Sequence, residues 1–204
     1  MAAQYGAHEM MEIHEVLTDT IDGINQFQLY RPHVKDPQLL SMLDNQIRHM
    51  TQEYNNMVTL LNQAGRGQAI PYRAPFKTAA PVYGLNHPET QTPNTSMTDM
   101  NDRDVASGML GCHKSSACMR MVASLECADP QIRRTIQQGA VNCGEQAYEV
   151  WQYMNHRGYY QVPTMNEMTT NTVMRTYASA NTAQMDMMQP APVNQPISQY
   201  RMMQ

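Results

Sequence analysis

Residues 36–61 read DPQLLSMLDNQIRHMTQEYNNMVTLL, and this stretch decides the fold class. Asp36 is a good helix N-cap, and Pro37 suits the first helical position because its missing N–H has no intrahelical partner there. Apolar residues then recur at steps of four and three, the spacing of one helix face: Leu43, Ile47, Met50, Tyr54, Met57 and Leu61. Gly65 and Gly67 follow, so the stretch predicts a long amphipathic helix that ends before them.

Three further segments have the same period. One extends from about residue 8 to 31, one begins near residue 101, and one opens at Asp129 and ends before Gly158. Their predicted core faces are Ile13, Leu17, Ile21, Ile24 and Phe27; Val105, Met109, Cys112, Ser116, Met119 and Ala123; and Ile132, Ile136, Ala140, Cys143, Ala147, Val150 and Met154. The sequence therefore predicts four long helices, and it allows a short Met-containing helix within 164–188.

The second and fourth of these helices begin alike. Asp129-Pro130-Gln131-Ile132 repeats Asp36-Pro37-Gln38-Leu39, and the apolar faces that follow stay in phase at the same offset. We interpret this as two related helical hairpins. Chance is the alternative, because Asp-Pro-Gln is good capping chemistry in any helix.

Residues 64–100 contain five prolines and no apolar period, which predicts a long loop. A helix of about 28 residues is about 42 Å long, and a connection that returns along it must span that length. Ferritin-like bundles contain one such crossover. The predicted fold is therefore an all-α, ferritin-like four-helix bundle. It comprises a first hairpin at 1–63, a Pro-rich crossover at 64–100, a second hairpin at 101–158 and a C-terminal extension at 159–204.

Composition and charge argue against several function classes. The 204 residues have a formal net charge of −4, only 16% are charged, and the longest basic run is Arg133-Arg134, so we expect no nucleic-acid binding. No segment approaches the roughly 20 apolar residues of a membrane span, and the N-terminus lacks the order of a signal peptide. No phosphate loop or nucleophile elbow is present, so we expect neither catalysis nor a cofactor.

A ferritin-like bundle can hold a di-metal site in its core. Such a site would make the chain a ferritin-like oxidase, a peroxide-removing enzyme or a metal-storage protein. The usual site needs two Glu-x-x-His motifs, and the sequence has none. His49 and Glu53, one helical turn apart, are the weak metal-binding candidates. We interpret them instead as an exposed pair beside the core face.

Cysteine and tyrosine are the candidates for covalent cross-links. Cys112 and Cys143 fall on predicted core faces, whereas Cys118 and Cys127 lie off them and are the better candidates for joining two chains. Tyr159 and Tyr160 are candidates for tyrosine cross-links, with capping of the bundle's end as the simpler alternative. Five of the 20 methionines lie on predicted core faces, and eight form a C-terminal set at 165–203, which we expect to pack against other chains. The five are Met50, Met57, Met109, Met119 and Met154.

The region from 101 to 165 is specific enough to suggest a family. DRDVA at 102–106, LECADP at 125–130, AYEVWQYMN at 147–155 and GYYQVP at 158–163 resemble the Coat F (CotF-type) family of bacterial spore coat proteins. The resemblance is good over about 60 residues and weaker over the first two helices.

This resemblance implies a ferritin-like fold, a spore-forming bacterium and a structural role in the spore coat. It implies other copies of the chain and other coat proteins as partners, after synthesis in the mother-cell cytoplasm. It supplies no catalytic residues.

Overall fold

The computed structural model describes residues 5–62, 69–75 and 80–180. Within these ranges the chain is helical apart from loops, two short 3-10 turns and one isolated β-bridge, so the predicted all-α class is confirmed. The helices are α1 (Ala7–Tyr30), α2 (Pro37–Asn62), α3 (Asp102–Leu125), α4 (Pro130–His156) and α5 (Glu167–Met174). The chain forms two compact units, Met1–Thr164 with α1–α4 and Met165–Gln204 with α5.

The helix starts are set by side-chain caps, as the sequence predicts. Asp36 Oδ1 accepts from Gln38 N at 2.8 Å, and Asp129 Oδ1 accepts from Gln131 N at the same distance. Asn101 caps α3 by accepting from Arg103 N and Asp104 N. These bonds satisfy backbone donors that have no intrahelical partner. The start of each long helix after the first can therefore be predicted from its capping residue.

In the first unit α1 packs against α2 and α3, and α4 packs against α3 and α2. The apolar core has two clusters rather than one. Cluster A contains Phe27, Leu39, Met42, Leu43, Met50, Val105, Ala106, Met109, Leu110, Ala147, Val150, Tyr153 and Met154. Cluster B contains Ile13, Val16, Met57, Leu60, Ala123, Cys127, Ile132 and Ile136.

The predicted core faces need correction on α1 and α2. Ile21 is 42% exposed, and the buried position next to it is Thr20. On α2, Ile47 and Tyr54 are only partly buried, whereas Gln46 is fully buried. On both helices the buried side lies one residue away from the apolar pattern at these positions. Polar side chains can be buried there because they find hydrogen-bond partners in the middle of the core.

The described parts of the segment between α2 and α3 follow α4. Tyr72 N donates to Asn142 Oδ1 at 2.8 Å, near the middle of α4, and Val82 N donates to Asn155 Oδ1 at 2.8 Å, near its C-terminus. Backbone N–H groups that have no helix or sheet partner are thereby satisfied by amide side chains of α4. In the described ranges no helix has both the length and the apolar character needed to cross a membrane.

Candidate functional site

A layer of buried polar side chains lies in the middle of the first unit, and all four long helices contribute to it. Its members are each at most about one-tenth exposed as side chains: Thr20, Gln46, His49, Glu53, His113, Arg120, Asn142, Gln146 and Glu149. Burying polar groups costs free energy unless they are hydrogen-bonded, so the pairing within this layer decides its stability.

Gln46 connects three of the four helices. Its Nε2 donates to Glu149 Oε2 at 2.9 Å and to the Gln146 carbonyl at 3.3 Å, and its Oε1 lies 2.9 Å from His113 Nε2. The amide nitrogen of Gln46 donates to α4, so the group that faces His113 is the amide oxygen, which can only accept. His113 must therefore carry its proton on Nε2. Burial lowers the pKa of His113 to about 3, with Arg120 adding to the effect, so the ring is neutral near pH 7.

Tyr72 joins this layer from the segment between α2 and α3. Its hydroxyl donates to Glu149 Oε2 at 2.5 Å and accepts from Asn45 Nδ2 at 3.0 Å. Its ring packs edge-on against His49 with 4.9 Å between centroids. Burial and the Glu149 carboxylate raise the pKa of Tyr72, so the hydroxyl remains a proton donor well into alkaline solution.

The predicted pair His49 and Glu53 is buried, so the expectation of an exposed pair is wrong. His49 is 8% exposed, and its Nε2 lies 3.7 Å from Glu53 Oε1, beyond hydrogen-bond distance. Glu53 Oε1 accepts from Asn142 Nδ2 at 2.6 Å, and Oε2 lies 3.9 Å from Arg120 Nη1. Among the described residues Glu53 Oε2 has no hydrogen-bond partner, so within the chain its burial is compensated only by the charge of Arg120.

Arg120 is accommodated by small neighbours. Its Nη2 donates to Thr20 Oγ1 at 2.8 Å, and a Cβ on Gly139 would lie 2.5 Å from its Nη1. The lack of a side chain at Gly139 thus makes room for the guanidinium, which pairs with Glu53 across the interior. A buried charge with its partner removed is strongly destabilising, so these two residues depend on each other.

The donor set of the layer does not fit a di-metal centre. Such centres use four carboxylates and two histidines, whereas Gln46, Asn142 and Gln146 supply amides and Arg120 supplies a cation. Both carboxylates already accept hydrogen bonds from protein side chains. In the part of the chain that the structure describes, no group of three or more His, Cys, Asp or Glu could hold one ion.

The cysteines differ in how far they are buried, which decides whether they could form cross-links. Cys118 is exposed, but Cys127 is buried at 8% exposure within cluster B, so its predicted position off the core is wrong. Burial, with nearby Glu9 and Glu12, raises the pKa of Cys127 to about 11. Cys143 is buried as predicted, and burial raises its pKa to about 12. Cys118 is therefore the thiol that is most accessible to another molecule.

Tyr159 and Tyr160 follow a left-handed turn at the end of α4. Gly158 has φ +74°, and the next two backbone N–H groups both donate to the Met154 carbonyl, at 2.8 and 3.1 Å. Tyr159 packs against Tyr153 in cluster A, whereas Tyr160 is 39% exposed and contacts Trp151. The two tyrosines close this end of the unit, and a cross-link at either stays a prediction.

The residues after these tyrosines hold the segment that precedes α3. Gln161 exchanges two hydrogen bonds with the backbone of Asn86, and Gly84 N donates to the Val162 carbonyl at 2.8 Å. Asn155 bonds both backbone groups of Val82. The motif GYYQVP at 158–163 therefore has a physical role, which is to attach the long connecting segment to the end of α4.

Sequence reasoning missed most of the polar layer. Gln46, His49 and Glu53 recur at steps of three and four, which is itself a helix-face pattern, but polar residues at that spacing are usually solvent-exposed. The partners on α3 and α4 are long-range in sequence, so their pairing could be recognised only in the folded chain.

Comparison with known proteins agrees with these observations. Residues 101–163, which contain α3, α4 and the GYYQVP segment, match the family model described as the Coat F domain. The chain is 32% identical over 176 residues, 86% of its length and 81% of the relative's, to the spore coat protein F-like protein YhcQ of Bacillus subtilis (strain 168). No solved structure matches significantly.

These findings define the class as a bacterial spore coat protein with an all-helical fold, and they confirm the predicted location in the spore coat. The chain belongs to the Coat F family.

Proposed function

We propose that this protein is a non-catalytic structural component of the endospore coat that associates with copies of itself and with other coat proteins. The observation that carries the proposal is the Coat F match, which covers α3, α4 and the segment that attaches the connection to α4. Family membership supports the coat role, and the use of both layer carboxylates in internal hydrogen bonds agrees with a structural role for the layer.

The architecture we propose is a ferritin-like four-helix bundle with a Pro-rich crossover at 64–100. The contacts of Tyr72 and Val82 with successive parts of α4 support a connection that returns along the bundle. A buried polar layer whose hydrogen bonds join all four long helices suits a building block, because it penalises arrangements in which those bonds are lost.

The test is the solution mass of the purified full chain, measured by sedimentation velocity, beside a variant that lacks residues 164–204. We expect dimers or larger assemblies of the 23.2 kDa chain, and reduced assembly with unchanged helix content in the variant. We infer that the C-terminal extension contributes to this association through its methionines. A truncated chain that assembles as well as the full chain would refute that role.

A further inference from the structure

A small cavity lies beside the buried pair of Glu53 and Arg120. Its volume is about 20 Å³, and residues of all four long helices line it. Ala69 and Ile70, from the segment between α2 and α3, line it as well. A cavity needs roughly 10–15 Å³ to hold a water molecule, so this one has room for at least one.

Three buried polar atoms belong to residues that line this cavity and have no hydrogen-bond partner in the part of the chain that the structure describes. They are Glu53 Oε2, Asn56 Nδ2 and Arg120 Nε. The side chains of Glu53 and Arg120 are only 10% and 5% exposed, so bulk solvent does not serve them. Folded proteins rarely leave buried polar atoms unpaired, and ordered water is the usual partner where the protein supplies none.

The two threonine hydroxyls at the cavity cannot supply the missing donor. Each donates its proton to a carbonyl one turn earlier in its own helix, Thr20 at 2.7 Å and Thr135 at 2.9 Å. Neither proton is therefore available to Glu53 Oε2, although this carboxylate oxygen is an acceptor that needs a donor.

The length of the ion pair is a further observation. Glu53 Oε2 lies 3.9 Å from Arg120 Nη1, which is beyond the distance of a direct hydrogen bond. A polar contact of this length is commonly bridged by water. The pair therefore leaves room for a third group between the carboxylate and the guanidinium.

Charge and polarity favour water as that group. Glu53 and Arg120 carry opposite charges, so a bound ion would add a buried charge that has no counter-ion. An apolar molecule would leave the three polar atoms unpaired. Water both donates and accepts, and it matches a site that offers two donors and one acceptor.

We propose that this cavity binds an ordered water molecule that bridges Glu53 and Arg120. The water accepts from Asn56 Nδ2 and Arg120 Nε and donates to Glu53 Oε2, so that each of the three atoms gains a partner. It thereby joins α2 to α3 where the ion pair is too long to form a direct hydrogen bond. This site is independent of the proposed self-association.

The first test is a crystal structure of the full chain at a resolution that shows ordered water. We expect a water oxygen in the cavity within hydrogen-bond distance of both Glu53 Oε2 and Asn56 Nδ2. An empty cavity, an ion in its place, or a direct hydrogen bond between Glu53 and Arg120 that closes the cavity would overturn the proposal.

The second test counts long-lived bound water in solution by magnetic relaxation dispersion of the water signal. It compares the wild type with Asn56→Leu, which nearly keeps the shape of the side chain but removes the amide donor. Asn55→Leu is the matched control, because Asn55 is the neighbouring residue and is exposed on α2.

We expect one long-lived water fewer in Asn56→Leu than in the wild type, and no change in Asn55→Leu. Equal counts in all three folded proteins would overturn the proposal. Circular dichroism shows whether the variants fold, and if Asn56→Leu does not, the wild-type crystal structure decides.

Discussion

Lowering the pH from 7 to 4.5 is predicted to destabilise the fold through His113. This ring is 1% exposed, and its pKa in the folded chain is about 3, against about 6.5 in an unfolded chain. Between these values the unfolded chain binds one more proton than the folded chain, so acid favours unfolding. The contribution of His113 is fully present above pH 6.5 and is lost as the pH falls towards 3.

The size of this effect follows from the difference between the two pKa values. Each pH unit between them costs about 1.4 kcal/mol, so the change from pH 7 to pH 4.5 removes roughly 2–3 kcal/mol. That loss is a large part of the stability of an ordinary domain, which is about 5–15 kcal/mol. It should therefore be visible as a clear shift of the urea midpoint.

The assay is urea unfolding at both pH values for the wild type, His113→Gln and His14→Gln. His14 is exposed on α1 and is the control for the loss of a histidine. His113→Gln keeps an amide that can donate to Gln46 but cannot titrate, so its stability should fall by roughly 2–3 kcal/mol less than that of the wild type. If all three proteins lose the same free energy of unfolding, His113 is not the buried neutral group described here.

Three further predictions concern stability and access. Tyr72→Phe removes a buried hydroxyl from two partners and should cost about 1–3 kcal/mol, whereas Tyr83→Phe, at a 67% exposed ring, should change the urea midpoint little. Gly139→Ala should destabilise by about 1–3 kcal/mol because its Cβ meets Arg120, but Gly144→Ala should be neutral or stabilising by up to about 1 kcal/mol; equal thermal midpoints would refute the close contact. Among the four thiols, Cys118 should react fastest with a chromogenic disulfide reagent under native conditions, and rapid reaction of Cys127 or Cys143 would contradict their burial.

The helices could be predicted because their signals are local. Asp36 and Asp129 cap α2 and α4 through bonds to residues two positions ahead, so the Asp-Pro-Gln repeat is read without knowledge of the fold. The apolar period likewise places α3 and α4 within a residue or two of their observed bounds.

The polar layer could not be predicted in the same way. Gln46 and Glu149 lie 103 residues apart, and Tyr72 reaches them from a segment with no regular pattern. A periodicity argument assigns polar residues to the surface because water is their commonest partner. The periodicity argument therefore predicted His49 and Glu53 to be solvent-exposed. It also predicted Ile47 to be buried on α2, where the neighbouring Gln46 is buried.

Cys127 illustrates the same limit. It follows the last turn of α3, where the helical period no longer applies, and its Sγ donates to the Ala123 carbonyl at 3.4 Å. Its burial depends on the packing of the other helices, because α1, α2 and α4 each supply two of the apolar side chains of cluster B. Only the packing of these helices shows that Cys118, and not Cys127, is the accessible thiol of this pair.

The most direct test of the central claim is the distribution of this chain in mature spores, measured by quantitative mass spectrometry of separated coat and core fractions. A structural component of the coat should be recovered mainly with the coat fraction, at levels comparable to those of other coat proteins. Recovery mainly in the soluble core fraction would contradict the account.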